Sequence, residues 1–428
     1  LVGRSFKYHR PRGFMAAGCW QIDAHVSSAA RHDVRLTGPE YRHNECQNPA
    51  AARAARSAEN HTMAKSLDFS VRRDDWKTSR FTEAELPAAL AADQVLLAVD
   101  RFALTANNIT YALTGDMLGY WTFFPADDGW GRIPVMGFAD VLESAHPAVK
   151  AGQRFFGFFP MSTHLVVQAG DAGAASFVDV AAHRAATALA YRQYLRTGAD
   201  ALYETSREDT LLLLRGLFMT SFLVDDFLAD NGDFGAQTFL VTSASSKTAI
   251  ALAFCLAARG AGEVVGLTSA RNAAFVSQLG CYDRVLRYDE VASLDRMRPA
   301  VLIEHSGDGA VVNAIHNHFA DALKHSAVIG ATHWSGSRPA RDLPGAAPTF
   351  FFAPTQMEKR NKEWGPAAFQ EKLGTTWRHF ASFSDGWLRV VRGAGRDALE
   401  RAYREVLEGR ARPEDGHVLS LRQAGIEA

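Results

Sequence analysis

One stretch of the sequence, residues 239–272, constrains the fold more than any other. It reads FLVTSASSKTAIALAFCLAARGAGEVVGLTSARN, which predicts a buried strand, a turn of small hydroxylated residues, an apolar helix over Thr248–Ala258 and a second strand over Glu263–Leu267. This order is a βαβ unit. A helix that begins directly after a strand points unpaired N–H groups and the positive end of its dipole at the turn, so a phosphate suits this turn.

The side chains of the first turn supply donors for such an anion. Ser245, Ser246 and Thr248 carry hydroxyls that can donate to phosphate oxygens, and Lys247 adds a positive charge. A triphosphate loop is excluded because GxxxxGK[ST] needs a glycine where Ser246 stands, and the dinucleotide pattern GxGxxG is absent as well. The alternative interpretation is a capped helix start beside an exposed lysine.

The turn after the second strand favours NADPH over NADH. A cofactor without a ribose phosphate would favour an acidic residue here, which accepts from the two ribose hydroxyls. The sequence instead supplies donors and a guanidinium, in Thr268, Ser269, Arg271 and Asn272. A capped helix start with Arg271 in solvent is the alternative.

Length, charge and cysteine usage narrow the class of protein. A chain of 428 residues suits two or three domains of roughly 150 residues each. The net charge of -1 gives no whole-chain signature of nucleic-acid or membrane-surface binding, and no apolar run reaches the roughly 18 residues that span a membrane. The four cysteines are scattered without a CxxC pair, so we expect no zinc knuckle or disulfide framework and favour a reducing cytoplasm.

Two further segments resemble the medium-chain dehydrogenase/reductase superfamily. DQVLLAVDRFALTANNITYALTGDMLGYW resembles its opening, G-E-V-L-V-K-V…A-L-N-P-x-D…G-x-Y, and IPVMGFADVLESAHPAVKAGQRFFGFFPMSTHLVVQAG resembles the strand pairs that close its catalytic barrel. The resemblance implies an α/β fold with a GroES-like, partly open β-barrel and a doubly wound Rossmann domain. The zinc-binding cysteine of the superfamily is missing from the turn, which argues against a catalytic zinc and predicts no metal.

The same resemblance assigns site residues. Tyr120 stands where the quinone-reductase and enoyl-reductase branches often carry a tyrosine, and it would donate a proton or polarise the substrate oxygen, with Tyr111 and His333 in reserve. Asn108, or its neighbour Asn107, occupies the asparagine-proline region and would orient the substrate or the nicotinamide ribose.

Cofactor residues follow from the resemblance as well. The quinone-reductase branch uses S-G-A-S-G-G-V-G after the first strand, and Ser243 replaces one of its glycines. The AVIG segment resembles the strand that passes beside the nicotinamide, which makes Gly330, Thr332 and His333 candidate pocket residues.

As a whole, residues 66–420 resemble the bacterial family DUF2855 within that superfamily. We expect a disordered extension over 1–62, a GroES-like catalytic domain over 63–215, a Rossmann domain over 216–345 and a return to the catalytic domain over 346–428. The opening, residues 1–18, resembles a fragment of the N-terminal module of the sarcosine oxidase alpha subunit. The implied activity is zinc-independent hydride transfer from NADPH to a carbonyl, quinone or activated C=C. The alternative is a non-catalytic nucleotide- or partner-binding protein on this fold.

Three other features have competing interpretations. Asp225 and Asp226 are adjacent on a predicted helix and do not share a face, which favours a structural role over an acid/base pair. His316 and His318, two apart on a helix, favour surface histidines over a metal pair. The aromatic run at 350–352 would cover an apolar substrate, pack in the core or form a homodimer seam. A helix is also predicted from the apolar spacing between 185 and 195.

Overall fold

The computed structural model describes residues 65–329, 339–340 and 342–422. The segment 1–62, predicted to be disordered, and the fragment 1–18 lie outside the described residues, as do the predicted pocket residues Gly330, Thr332 and His333. Within the described ranges, no helix is both long and apolar enough to cross a membrane.

The described residues form seventeen strands and ten α-helices, besides short 3-10 turns. The strands are β1 (Lys65–Arg72), β2 (Ser79–Glu85), β3 (Gln94–Leu104), β4 (Trp130–Gly131), β5 (Pro134–Ser144), β6 (Arg154–Pro160), β7 (His164–Gly170), β8 (Ser176–Asp179), β9 (Gln193–Arg196), β10 (Thr238–Val241), β11 (Glu263–Thr268), β12 (Arg284–Arg287), β13 (Ala300–Glu304), β14 (Leu323–Val328), β15 (Pro348–Phe350), β16 (Arg389–Ala394) and β17 (Asp415–Ser420). The helices are α1 (Ala106–Leu113), α2 (Gly115–Leu118), α3 (Leu189–Arg192), α4 (Glu208–Asp230), α5 (Lys247–Arg259), α6 (Ala273–Gln278), α7 (Gly309–Phe319), α8 (Ala353–Trp364), α9 (Pro366–Ser384) and α10 (Gly395–Leu407).

The first large sheet closes into a barrel. Its eight strands run in the order β16-β17-β3-β5-β6-β9-β8-β7. An additional pairing of β3 with β7 closes the last six of them into a ring, and β17 and β16 extend the sheet beyond β3. Alternate residues of β3, namely Val95, Leu97 and Val99, belong to one buried core cluster, because successive side chains of a strand point to opposite faces. A smaller sheet, β2-β1-β4, adds Phe69 and Val71 to the same core.

The second large sheet has six strands in the order β12-β11-β10-β13-β14-β15. Neighbouring strands are parallel throughout. Strands β10 and β13 are buried along their whole length, as expected for parallel strands covered by helices on both faces. The predicted βαβ unit is confirmed as β10, α5 and β11. From β10 the chain adds β11 and β12 on one side of the sheet, and it then adds β13, β14 and β15 on the other side. The strand order therefore changes direction between β10 and β13, and ligands of doubly wound sheets bind at the carboxyl ends of such a strand pair.

Two contacts join later parts of the chain to the first strands of the barrel. Strand β17 near the end of the chain pairs antiparallel with β3 and so belongs to the barrel sheet. At the start of α4, the Glu208 carboxylate accepts from Arg154 Nε at 2.7 Å, and Arg154 also pairs with Asp100 and Asp140 on the barrel strands. The predicted α/β fold class, a barrel plus a doubly wound parallel sheet, is confirmed.

Candidate functional site

The turn between β10 and α5 keeps a glycine-like backbone. Ser243 has φ 50°, in the left-handed region that favours glycine. The quinone-reductase pattern S-G-A-S-G-G-V-G has a glycine at this position. The Ser243 N–H donates to the Tyr288 hydroxyl at 3.2 Å. Ser246 caps α5, because its hydroxyl accepts from the Ala249 N–H at 3.2 Å. A serine therefore occupies this turn without changing the conformation that the motif requires at this position.

A side-chain hydrogen bond connects this turn with the turn after β11. The Asn272 amide Nδ2 donates to Ser245 Oγ at 2.9 Å, and the Asn272 N–H donates to the Ser269 carbonyl at 3.0 Å. Thr268 ends β11 and is buried. The structure therefore brings four predicted cofactor residues together at the carboxyl ends of two neighbouring parallel strands.

Close packing behind these turns depends on Gly266. A Cβ at this residue would lie 2.8 Å from the Tyr282 ring and 3.0 Å from the Ala244 side chain. The Tyr282 hydroxyl donates to the Ala244 carbonyl at 2.9 Å. Tyr282 thus supports the first turn from below, and only a glycine in β11 leaves room for it.

Lys247 was expected either to face a phosphate in the turn or to be exposed, and the structure shows neither. Its ammonium donates to the carbonyls of Pro413 at 3.0 Å and Asp415 at 2.6 Å. Burial lowers the pKa of Lys247 to about 8, although the Asp415 and Glu414 carboxylates act in the opposite direction. The ammonium therefore binds the chain segment that leads into β17 and is neither exposed nor directed at an anion in the turn. Sequence reasoning missed this contact because it joins residues 166 and 168 positions apart.

Arg271 contacts the same chain segment. The side chain is exposed, and its two terminal nitrogens donate to the carbonyls of Gly409 and Arg410 at 3.2 Å each. The segment 409–415 therefore borders both turns. It also carries the exposed side chains of Arg410 and Arg412, which the sequence analysis did not single out.

A buried carboxylate that sequence reasoning missed lies at the carboxyl end of β13. Glu304 accepts from the Thr242 hydroxyl at 2.9 Å, from the Ser306 hydroxyl at 2.6 Å and from the Gly307 N–H at 2.7 Å. Thr242 directly precedes the β10 turn. Burial raises the pKa of Glu304, while these hydrogen bonds act in the opposite direction. The signal in the sequence was the polar run EHSG directly after the apolar strand AVLI.

In the barrel, three tyrosines form one aromatic cluster. The ring of Tyr120 lies 4.7 Å from that of Tyr111 and 5.7 Å from that of Tyr191, between centroids. The buried residues of this cluster are Phe123, Phe124 and Phe158, and the three tyrosine rings pack against them. Burial is the main cause that raises the pKa of both Tyr120 and Tyr111 well above the ordinary value for a phenol. Both side chains therefore stay protonated near neutral pH, as hydrogen-bond donors require.

Asn108 is engaged in the local structure of α1. Its Oδ1 accepts from the Thr105 N–H at 2.7 Å, and its Nδ2 donates to the Pro134 carbonyl at 2.9 Å. The side chain is buried, whereas its neighbour Asn107 is exposed. The structure therefore uses Asn108 to fix the start of α1 against β5, and the helix in turn carries Tyr111.

Helix α4 connects the aromatic cluster with the β10 turn. Met136 packs against the cluster and occupies the space next to Gly216, where a Cβ would clash with it. Ser221 donates its hydroxyl to the Thr248 carbonyl at 2.7 Å, at the start of α5. Five residues of helix separate the two contacts, which corresponds to about 7.5 Å along the axis. Met136, which packs against the tyrosine cluster, and the start of α5, which follows the predicted cofactor turn, therefore contact the same short stretch of α4.

The paired acidic residues of α4 have structural partners, as predicted. Asp225 accepts from Arg259 Nε at 2.9 Å, and Asp226 accepts from Arg360 Nε at 2.6 Å. Because the two arginines belong to different helices, α5 and α8, the carboxylates do not act as a pair.

The surface position predicted for the two histidines of α7 is wrong for His316. Its ring is buried, with Nε2 3.1 Å from the Ser326 hydroxyl and Nδ1 2.9 Å from the Pro344 carbonyl, because this face of α7 packs on the sheet. His318 instead contacts the Leu294 carbonyl. Across the described ranges, no group of three or more His, Cys, Asp or Glu residues is placed to hold a metal ion.

The family described as "Protein of unknown function (DUF2855)" matches residues 102–412. No curated protein matches the chain.

Several solved structures are similar in fold. CurA from Vibrio vulnificus in complex with NADPH superposes with a TM-score of 0.55 at 12% identity, over 83% of this chain and 99% of that one. The Etr1p/NADP/crotonyl-CoA complex gives a TM-score of 0.51 at 12% identity, over 84% and 100%. The mitochondrial 2-enoyl thioester reductase Etr1p/Etr2p heterodimer from Candida tropicalis gives the same values. At these identities the similarity is one of fold.

Proposed function

The chain belongs to the DUF2855 family, and from its fold and site we propose that it is an NADPH-dependent, zinc-independent reductase of small apolar carbonyl, quinone or activated C=C compounds. The observation that carries the proposal is the position of α4. Gly216 of this helix packs beside the tyrosine cluster, and Ser221 holds the start of the helix that follows the cofactor turn. A reductase needs a cofactor turn and a proton donor within reach of one substrate, and the contacts of this helix with a neighbour of each support the proposal.

The turn after β10 fits a pyrophosphate. The left-handed backbone of Ser243 and the Ser246 cap leave the amino end of α5 at the strand pair where doubly wound sheets bind ligands. In the proposal, Ser243, Ser245 and Ser246 hold the pyrophosphate together with the first amides of α5, and Thr248 adds a hydroxyl. When bound, the dinucleotide supplies a hydride to the substrate.

The turn after β11 supports NADPH as the cofactor. Thr268, Ser269 and Asn272 supply hydrogen-bonding groups there, and Arg271 lies beside the segment that carries Arg410. An exposed guanidinium at this turn suits a ribose phosphate. Two proteins of this fold, CurA and Etr1p, are known as complexes with NADPH and NADP. Lys247 then holds segment 409–415 beside the turn and does not itself bind phosphate.

The tyrosine cluster is the proposed substrate site. Its rings offer apolar walls for a flat unsaturated compound, and Tyr120 offers a protonated hydroxyl for the substrate oxygen. Tyr111 and His333 remain the reserve donors, Asn107 the proposed orienting group, and Gly330 and Thr332 the proposed neighbours of the nicotinamide. Etr1p has been solved with crotonyl-CoA, which carries an activated double bond, and this supports the substrate class. The absence of a zinc-binding cysteine from the α1 turn supports a reaction without zinc.

The assembly and location belong to the same proposal. Phe350, the last residue of the outer strand β15, is 68% exposed, and Phe352, two residues further on, is 55% exposed; this apolar edge suits a homodimer. Cys255 and Cys281 are buried free thiols, which fits a reducing cytoplasm.

The proposal is tested by replacing Tyr120 with phenylalanine. NADPH oxidation is measured with menadione and with trans-2-octenal as substrates. We expect kcat of Tyr120→Phe to fall by about 100-fold, the usual contribution of a general acid. Tyr403→Phe is the matched control, because its hydroxyl donates to the Trp76 carbonyl at 2.8 Å in the barrel core, outside the cluster. Equal turnover by the wild type and Tyr120→Phe would remove Tyr120 from proton donation.

A further inference from the structure

The Tyr120 hydroxyl has a partner in the protein that the proposed function leaves unused. The hydroxyl oxygens of Tyr120 and Tyr191 are 3.3 Å apart, and either one can donate. The two rings meet edge to face, with an interplanar angle of 85°. Tyr191 also packs against Phe158 and Phe123, with ring centroids 5.3 and 5.2 Å apart. This packing directs the Tyr191 hydroxyl at Tyr120.

A buried arginine fixes the backbone of Tyr191. Arg184 is fully buried and donates to the Tyr191 carbonyl, while its other terminal nitrogen pairs with Asp179 at 3.2 Å. The same guanidinium lies over Phe123 and Phe124, which flank the tyrosine cluster. A helix as short as α3 is not stable by itself, so these contacts hold Tyr191 in place. A buried charge is costly unless it is paired. Asp179 pairs with the Arg184 guanidinium, which also holds the Tyr191 carbonyl.

We propose that Tyr191 is a positioning residue that returns a proton to Tyr120 in each turnover, an inference that rests on the proposed function. As the substrate oxygen gains an electron pair, the Tyr120 O–H bond breaks and a new O–H bond forms on the substrate. The Tyr191 O–H bond then breaks as that of Tyr120 forms again. Tyr191 is half-buried and recovers its proton from water, so one solvent proton is consumed per turnover.

The apolar surroundings explain why such a partner is needed. A phenolate left on Tyr120 would lie among Tyr111, Phe123 and Phe158, where an unpaired charge is strongly disfavoured. A hydroxyl that donates to this oxygen forms a charge-assisted bond, which is about twice as strong as a neutral one. The Tyr191 hydroxyl lies within reach of the Tyr120 oxygen, whereas Tyr111 contacts the Tyr120 ring.

The first test reads the hydrogen bond without cofactor or turnover. 4-(Dimethylamino)cinnamaldehyde is an enal whose absorption moves to longer wavelength as its carbonyl oxygen accepts stronger hydrogen bonds. We expect a shift with the wild-type protein, its loss in Tyr120→Phe and a clearly smaller shift in Tyr191→Phe, since linked hydroxyls polarise one another. Tyr203→Phe is the matched control, because it removes a hydroxyl that donates to Glu208 at 2.7 Å, away from the cluster.

The second test separates binding from proton transfer. With trans-2-octenal and NADPH, Tyr191→Phe is expected to lower kcat by about 10-fold, with KM unchanged and a larger solvent isotope effect. Thermal unfolding checks that the variant is folded, and Tyr191→His, which keeps a proton donor, is expected to regain part of the turnover.

The outcomes distinguish the inference from the proposed function. Suppose that Tyr191→Phe keeps the full absorption shift and the wild-type kcat, while Tyr120→Phe loses both. This result would overturn the role of Tyr191 and would still support the reductase. No shift and no turnover in the wild-type protein would overturn both.

Discussion

The side-chain amide of Asn272 donates a hydrogen bond to the Ser245 hydroxyl across 2.9 Å and thereby connects the turns that follow two neighbouring parallel strands. One turn is the proposed site of the pyrophosphate and the other that of the ribose phosphate. Since the two subsites belong to one ligand, the bond preorganises the distance between them.

The first prediction concerns this bond. Asn272→Ala should weaken NADPH binding by about 5-fold, because a typical hydrogen bond contributes about 1 kcal/mol. The dissociation constant is measured by the fluorescence of NADPH. Asn231→Ala is the control, since its amide also makes one side-chain bond, to the Phe227 carbonyl at 2.8 Å, at the far end of α4. Equal weakening in both variants would show a general effect on the fold.

The second prediction concerns the backbone of Ser243. Ser243→Gly should weaken NADPH binding by no more than about 5-fold, the contribution of one hydroxyl hydrogen bond, because glycine adopts the observed φ of 50° at least cost. Ser243→Val should lose binding by at least about 10-fold, because a β-branched residue is strongly disfavoured in that conformation. Ser277→Val, on the exposed side of α6, serves as the control for adding a valine. Tight NADPH binding by a folded Ser243→Val protein would contradict the role given to this turn.

The third prediction concerns the pH dependence that Lys247 contributes. The pKa of Lys247 is about 8 in the folded protein, against an ordinary value of 10.5. Between these values the unfolded chain binds more protons, so the contribution of Lys247 to stability rises with pH; below about pH 8 both states are charged and the cost of burial is present in full.

This contribution is isolated by comparison with Lys247→Met. The stability of the wild type relative to Lys247→Met should increase from pH 8 towards pH 10.5, as measured by urea unfolding at each pH. The exposed Lys150 offers a control, since Lys150→Met should follow the wild type at every pH. If the difference in free energy of unfolding between the wild type and Lys247→Met were the same at every pH, the ammonium would not be buried as described.

The fourth prediction concerns the apolar edge of the parallel sheet. Phe350→Asp should convert a homodimer into a monomer, because it places a charge in a face that is proposed to be buried. Sedimentation velocity measures the mass of each species. Met297→Asp is the control, as this residue is 74% exposed elsewhere on the parallel-sheet half. A dimer that persists in Phe350→Asp, or a monomeric wild type, would rule out this interface.

The local elements were predictable because their signals are local. The strands and helix of residues 239–272 follow from apolar runs separated by small polar residues, and their observed bounds differ from the predicted ones by only a residue or so. The helix predicted around Asp225 and Asp226 is likewise observed, as α4. The helix predicted between 185 and 195 was largely wrong, because only Leu189–Arg192 is helical and the chain then enters β9, where pairing with β6 and β8 decides its conformation.

The direction of long side chains was not predictable from local sequence. Lys247 and Arg271 both suit an anion by residue type, yet both bind carbonyls of a segment more than 130 positions away. Tyr191 and Glu304 gain their importance only from partners that the fold brings close, Tyr120 and Thr242. Such contacts depend on the tertiary structure, for which residue types and spacing carry no signal.

Titration of the purified chain with NADPH and with NADH, followed by cofactor fluorescence, tests the central claim most directly. We predict that NADPH binds at least about 10-fold more tightly than NADH, a difference of about 1.4 kcal/mol at the ribose phosphate. Arg271→Ala should reduce this preference while leaving the affinity for NADH unchanged. Equal binding of the two cofactors would contradict the assignment of Arg271, and binding of neither would contradict the reductase itself.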